Sequence, residues 1–483
     1  MNLDRNSLLA AIFSAFASTT PLANSNTSEI VLRYVGAGKA SVEYQHPTLR
    51  KQIDFYDADS DTHSFVRSKL WQPSEGCTVE LDRSRIRLPK CDHIRFILSW
   101  DGIQRDRRYP PLIPLQHGGV LVFTKYLQTF DGNGPTSWKV IAPKGGVAAF
   151  RGQKSSEEIS IPGSVFAEDP RGWIYLGPDK FVQSEEAQLM VDEGVSDSVG
   201  NIVAVMLPQL IPLFATELAA RPLSKPSVFI GWANREVGGR SFQADTVPGS
   251  VIRFGLSGSD WATPSSAQLE TIRDIASHEL AHLWNAGVYS SEARLSPWLH
   301  EGNAELLSQA AQYQLGYKDL ETLRKNAERA IASCLQTAGD QSWPMNPERL
   351  RGRIPYDCGF AIQLGAVGVA NRCAPEISTM GFWKQHWAKF PRYDESTLVA
   401  FLSAVSTPNK SALLKRLLDD KSLPLQIALA DLYRESGLLA LSNAVETGKT
   451  DFNIDAVRIR EIFEGKRLNT PRYAEKSCSV TSE

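Results

Sequence analysis

His278-Glu279-Leu280-Ala281-His282 is the stretch on which the fold turns, followed by Trp298-Leu299-His300-Glu301-Gly302-Asn303-Ala304-Glu305. Apolar residues Ile272, Ile275, Ala276, Leu280 and Leu283 repeat at helical spacing through the first segment, which predicts one amphipathic helix starting near Leu269. Two histidines at i and i+4 then sit about 40° apart around the helix axis, so both imidazoles leave the same side. That pair suits one Zn²⁺. Glu279 is about 100° further round than His278. It is near such a metal without being a ligand, which is where a general base for a metal-held water belongs. Eighteen residues separate His282 from Glu301. A two-histidine helix needs a third protein ligand from a neighbouring element to make a His₂Glu site with one open position, and Glu301 is a carboxylate on the next predicted helix. Glu305, one turn further on, shares its face and is suited to orienting a ligand histidine.

Outward from this centre the texture changes in both directions. Upstream, Thr263–Gln268 carries helix-start signals, Val251–Phe254 and Ser227–Trp232 read as strands, and Ser198–Leu218 reads as a long helix. Before about residue 195 the chain is a series of short alternating runs separated by Gly, Pro, Asn and Asp: Glu29–Tyr34, His93–Trp100, Val120–Leu127, Trp138–Ala142 and Gly172–Leu176. That is the pattern of a mostly antiparallel β domain. Beyond residue 300 nearly all periodicity is helical. The expected organisation is a signal peptide over 1–23, an N-terminal β domain over 24–195, a zinc-binding catalytic domain over 196–375 and a C-terminal helical region over 376–483.

Composition narrows the function. The 483 residues are 42% hydrophobic and 22% charged, ordinary material for globular domains with real cores. Fifty-two basic against 54 acidic residues give a net charge of −2, which leaves no excess for gripping a polyanion and argues against nucleic acid as a partner. The first residues hold Arg5, an apolar run from Leu8 to Ala17 and small residues at Ala15, Ala17 and Ala23, the layout of a secretory signal. No later segment reads as a membrane span, because Pro208, Pro212 and Glu217 interrupt the apolar stretch Ile202–Ala220. Six cysteines without a C-x-x-C pair fit disulfides in an exported protein, periplasmic or secreted. Cys77 and Cys91 bracket a hairpin-like run and are expected to bridge it. His46, His63, His93, His117 and His386 are scattered and read as structural or surface residues, and His300 reads as a bystander to Glu301.

Taken together, H-E-x-x-H, eighteen residues, then Glu in W-L-x-E-G resembles the gluzincin metallopeptidases, nearest to the alanyl/leucyl aminopeptidase type with its leukotriene-hydrolase relative. The resemblance implies zinc held by His278, His282 and Glu301, Glu279 as base, and a thermolysin-like α+β catalytic domain between a β domain and a helical one. It also implies a catalytic tyrosine in a motif like P-Y-x-K-G. Pro355-Tyr356-Asp357-Cys358-Gly359 matches that motif with Cys358 in place of Lys, so Tyr356 would donate to a developing oxyanion. One departure is plain. The family's aminopeptidases carry G-x-M-E-N, whose Glu holds the substrate amine, and the corresponding stretch here is Gly238–Asp245, with Glu236 and Asp245 as the carboxylates nearby. The sequence therefore predicts a zinc-dependent peptidase acting on peptides or proteins and leaves exo- against endo-cleavage open. It leaves two alternatives beside it: a zinc-binding interaction protein that has lost peptidase activity, and a related zinc hydrolase for a non-peptide substrate.

Overall fold

The computed structural model describes residues 28–36, 38–45, 52–56, 67, 71–73, 80–81, 85–87, 93–99, 109–130, 134–167, 169–288, 296–338, 342–343, 352–390, 394–439 and 452–465. The expected signal peptide and the expected Cys77–Cys91 bridge lie outside them. The chain divides into two compact units, one of Met1–Pro114, Val120–Ala148 and Ser155–Gly177, the other of Leu115–Gly119, Ala149–Lys154 and Pro178–Glu483.

The first unit is built from β-sheets. Its six-stranded sheet runs Glu158–Ile161, Ser137–Ile141, Glu29–Gly36, Lys39–Gln45, His93–Leu98, Trp71–Pro73 across the strands. Neighbours pair antiparallel except Glu29–Gly36 with Ser137–Ile141, which are parallel. The alternation read from sequence becomes a buried face of Ile30, Leu32, Val42, Tyr44, Phe96, Trp138 and Val140. In a second sheet Val120–Phe123 lies between Leu112–Pro114 and Trp173–Gly177. The strand expected to run on to Leu127 stops at Phe123, where Thr124–Tyr126 turns into a 3₁₀ helix.

The second unit sets one mixed sheet beside a helical layer. Its strands are β1 (Val182–Gln183), β2 (Gln188–Val191), β3 (Ser227–Ala233), β4 (Ser241–Val247) and β5 (Val251–Ser257). Their order is β1-β2-β3-β5-β4, so β4 is an edge strand. β2, β3 and β5 run parallel, and β4 returns antiparallel beside β5. The helices are α1 (Asp197–Glu217), α2 (Ser266–His282), α3 (Pro297–Gln314), α4 (Leu320–Ala338), α5 (Ile354–Cys373), α6 (Thr379–Lys389), α7 (Glu395–Val405), α8 (Pro408–Asp419), α9 (Leu425–Ser436) and α10 (Ala456–Glu464). α1 is long and apolar enough to cross a membrane, and it buries Val199, Val203, Met206, Leu207, Leu210 and Phe214 in the unit's core. Pro208 and Pro212 sit inside this helix, Pro208 on its exposed side, where the carbonyls freed by a missing N–H can reach water. The central helices are locked by chemistry as well as packing. Cys334 on α4 is disulfide-bonded to Cys358 on α5, and Cys373 is disulfide-bonded as well.

Candidate metal centre and active site

α2 starts where the sequence signals place it. Ser265 is its N-cap and accepts from the Gln268 N–H, while the Gln268 side chain accepts from the Ser265 N–H, the reciprocal capping box. The helix buries Ile272, Ala276 and Leu280 on one side and delivers His278, Glu279 and His282 into its last turn, all nearly covered. Directly after His282 the chain winds into a π-helical turn, Leu283–Val288, a local widening that often accompanies a functional site. α3 then starts at Pro297, a residue whose fixed φ suits a first helical turn.

Three side chains from these two helices converge. His278 Nε2 lies 3.2 Å from Glu301 Oε2, His282 Nε2 lies 3.3 Å from the same oxygen, and the two Nε2 atoms are 3.1 Å apart. Ligand atoms about 2.0–2.1 Å from a tetrahedral zinc stand roughly 3.3 Å from one another, so the three atoms form one face of such a tetrahedron. Two lone-pair-bearing imidazole nitrogens and a carboxylate, almost dry, are a donor set that a divalent cation satisfies. This is the one group of three or more potential ligands among the described residues.

Each histidine is held from behind. Asn285 Oδ1 lies 3.0 Å from His282 Nδ1, and its amide donates to the His300 carbonyl and to Asn303 Oδ1, 3.0 Å each. Asn285 is fully buried in the π-helical turn. A side-chain oxygen facing Nδ1 selects the tautomer with the proton there, leaving the Nε2 lone pair for a metal. Glu305 Oε2 lies 3.3 Å from His278 Nδ1 and plays the corresponding part, while Gln309 donates to Glu305. The His300 ring stacks on His282, centroids 4.3 Å apart at 27°, so this residue packs on one of the three converging side chains.

The charges follow this arrangement in the metal-free state. Burial alone would lower the His278 pKa, but hydrogen bonds to Glu301 and Glu305 outweigh it and push it up to about 10. Burial opposes charge on Glu301 too, yet His282 and His278 hold it well below the usual carboxylate range. Glu305, likewise buried, is held at about 2 by its contact with His278. Glu279 goes the other way: burial raises it, more than the neighbouring histidines lower it. A carboxyl raised while its neighbours are depressed is the division of roles expected between a proton carrier and ligands.

Tyr356 stands in the first turn of α5, its ring centroid 5.4 Å from that of His278. Burial, then the Glu301 and Glu279 carboxylates, raise its phenol above the ordinary value, so it is a donor at neutral pH. The Arg353 guanidinium lies over its ring, 5.0 Å from the centroid, and bonds Asp357 at 2.9 Å. The two carboxylates near the missing amine-binding motif are placed differently. Asp245, on β4, is paired with Arg253 across the strands, Nε to Oδ1 2.8 Å. Glu236 stands in the exposed loop before β4. Among the other histidines, His117 is paired with Asp192 at 2.9 Å and His386 lies in the helical core. Asn285 and Thr246, which contacts Glu279, have no signal in the sequence pattern.

One solved structure shares the fold, and two others match more loosely. A crystal structure of an aminopeptidase N family protein from Idiomarina loihiensis superposes with a TM-score of 0.62 at 12% identity, over 84% of this chain and 78% of that one. Yeast LTA4 hydrolase matches with a TM-score of 0.46 at 12% identity, over 83% of this chain and 68% of the hydrolase. An M1 zinc metallopeptidase from Deinococcus radiodurans matches with a TM-score of 0.43 at 11% identity, over 83% and 94%. No family profile matches the sequence, and no curated protein matches it. The first of these likenesses is one of fold: a β-sheet region before a helical region in a multidomain architecture of the kind found in the aminopeptidase N family.

Proposed function

We propose that the chain is a zinc-dependent peptidase of the gluzincin kind, with a thermolysin-like catalytic region. The observation that supports it is the trio of ligand atoms, His278 Nε2, His282 Nε2 and Glu301 Oε2, spaced 3.1 to 3.3 Å apart with a base beside them that is not part of the trio. His278, His282 and Glu301 would hold the zinc. Zinc held there would supply Lewis acidity and make a water acidic near neutral pH. Glu279 takes the proton of the attacking water and hands it to the leaving amine. Tyr356 donates a hydrogen bond to the oxygen on which negative charge develops. Arg253 neutralises Asp245, so that carboxylate is not available to a substrate amine, and peptides without a free N-terminus belong in the substrate range alongside aminoacyl ones. The apolar N-terminal run and the disulfides support an exported, periplasmic or secreted, enzyme.

The test is Glu279→Gln. This variant is expected to keep its zinc, by metal analysis, and to lose roughly 10²- to 10⁴-fold in kcat on a panel of aminoacyl and internally quenched peptides. Full activity in Glu279→Gln would sink the mechanism.

A further inference from the structure

Among the described residues, Glu279 is the one carboxylate of the site whose hydrogen-bond partner comes from the sheet. Thr246 on β4 places its Oγ1 2.9 Å from Glu279 Oε2 and 2.8 Å from the Glu279 main-chain carbonyl. A hydroxyl carries one hydrogen, so Thr246 donates to one of these acceptors at a time and is bound to Glu279 either way. Glu279 Oε1 has no protein partner among the described residues.

The strand is set so that this contact is specific. Side chains alternate along β4. Thr246 points to α2, while its neighbours Asp245 and Val247 point the other way, Asp245 into the ion pair with Arg253 and Val247 into buried surroundings. Asp245 lies opposite Arg253 and Val247 opposite Val251 in the β4–β5 register. A slip of one residue would bring a charged or an apolar side chain against Glu279 in place of the hydroxyl. The ion pair and the buried valine therefore fix the register that aims Thr246.

We propose that Thr246 is a positioning residue for the base: its hydroxyl fixes the rotation of the Glu279 carboxylate through Oε2 and leaves Oε1 to receive the water's proton. The inference rests on the peptidase reading and adds to it that the edge strand, as well as the zinc helix, sets the geometry of proton transfer. A base misplaced by a fraction of an ångström costs rate without costing substrate affinity.

The experiment uses the full zinc-loaded chain in four forms: wild type, Glu279→Gln, Thr246→Val, which keeps the shape and removes the hydroxyl, and Thr246→Ser, which keeps the hydroxyl. Four quantities are read: zinc content, melting temperature, kcat and KM on the peptide panel, and the Kd of a peptide hydroxamate, whose hydroxyl gives its proton to the same carboxylate. Thr246→Val is expected to keep its zinc, hold KM within about twofold, and lose roughly 10- to 100-fold in kcat, the size of a lost hydrogen bond to a charged group. Its hydroxamate Kd is expected to rise by about tenfold. Thr246→Ser is expected to stay within about threefold of wild type on every measure. If wild type turns over, Glu279→Gln does not, and Thr246→Val matches wild type in kcat and hydroxamate affinity, the Thr246 role is overturned and the peptidase reading stands. Equal losses in Thr246→Val and Thr246→Ser also overturn it. Zinc-loaded wild type that cleaves no peptide and binds no hydroxamate removes both.

Discussion

Asn285 shows what one residue contributes to a candidate metal centre formed by other side chains. Its oxygen faces His282 Nδ1 and its amide is spent on the His300 carbonyl and Asn303, so the side chain cannot flip without losing three contacts. Removing such a support typically weakens metal binding 10- to 100-fold. Asn285→Ala is therefore expected to lose zinc to a competing chelator at a concentration lower by about that factor, with the fold unchanged by circular dichroism. Equal chelator titrations for wild type and variant would show that His282 needs no support. This residue also marks where the sequence stops speaking. His278, His282 and Glu301 are legible because the helix repeat fixes what lies beside what. Asn285 reaches His282 through a π-helical turn, a winding that leaves no periodic trace. Thr246 is silent for a different reason: its role depends on which face of β4 meets α2, and Ser241–Val247 carries too little alternation to say.

Between elements, the decisive contact is α3 against α5. A Cβ on Gly302 would come within 2.2 Å of the Gly359 carbonyl carbon, and one on Gly359 within 2.1 Å of the Trp298 carbonyl oxygen. Two backbones touch there, and neither can move aside like a flexible side chain. Gly302 follows Glu301 and Gly359 comes three residues after Tyr356, so the same contact sets the spacing between the Glu301 carboxylate and the phenol. Buried Gln363 tightens it by donating to the carbonyls of Trp298 and Leu299. Gly302→Ala is expected to cost about 1–3 kcal/mol or more, seen as a lower denaturation midpoint, and to reduce kcat while the ligands remain. A midpoint like that of wild type would mean that the two helices part freely. Both glycines were visible in the sequence as members of W-L-x-E-G and P-Y-x-C-G. That they touch one another was not, since residues 57 positions apart become neighbours through packing alone.

Over the whole molecule, the alternating runs before about residue 195 and the helical periodicity after 300 were legible because each reflects a face buried against a core. That Leu115–Gly119 and Ala149–Lys154 belong to the second unit was not, because such short stretches carry no period. Acid sensitivity is also a property of this scale, and His386 is one clear source of it. It is fully buried on α6 among Trp383, Phe390 and Phe401. Burial lowers its pKa from 6.5 to about 4, against a hydrogen bond to the Thr397 backbone and the charge of Asp394. The unfolded chain thus binds this proton more readily. The stabilisation is complete above pH 6.5 and is lost as the pH falls toward 4, to the extent of at most about 3 kcal/mol. His386→Phe is expected to flatten the pH dependence of the unfolding free energy in that window, relative to wild type. Parallel curves would assign the acid sensitivity to other groups.

The link between Cys334 and Cys358 has a consequence for measurement. Both sulfurs are fully buried, so a small reductant reaches them only while α4 stands away from α5. The rate at which dithiothreitol opens this bond in the native protein is therefore a count of local opening events. Since Cys358 lies two residues from Tyr356, that count times the breathing of the phenol's own helical turn, with no label added to the protein.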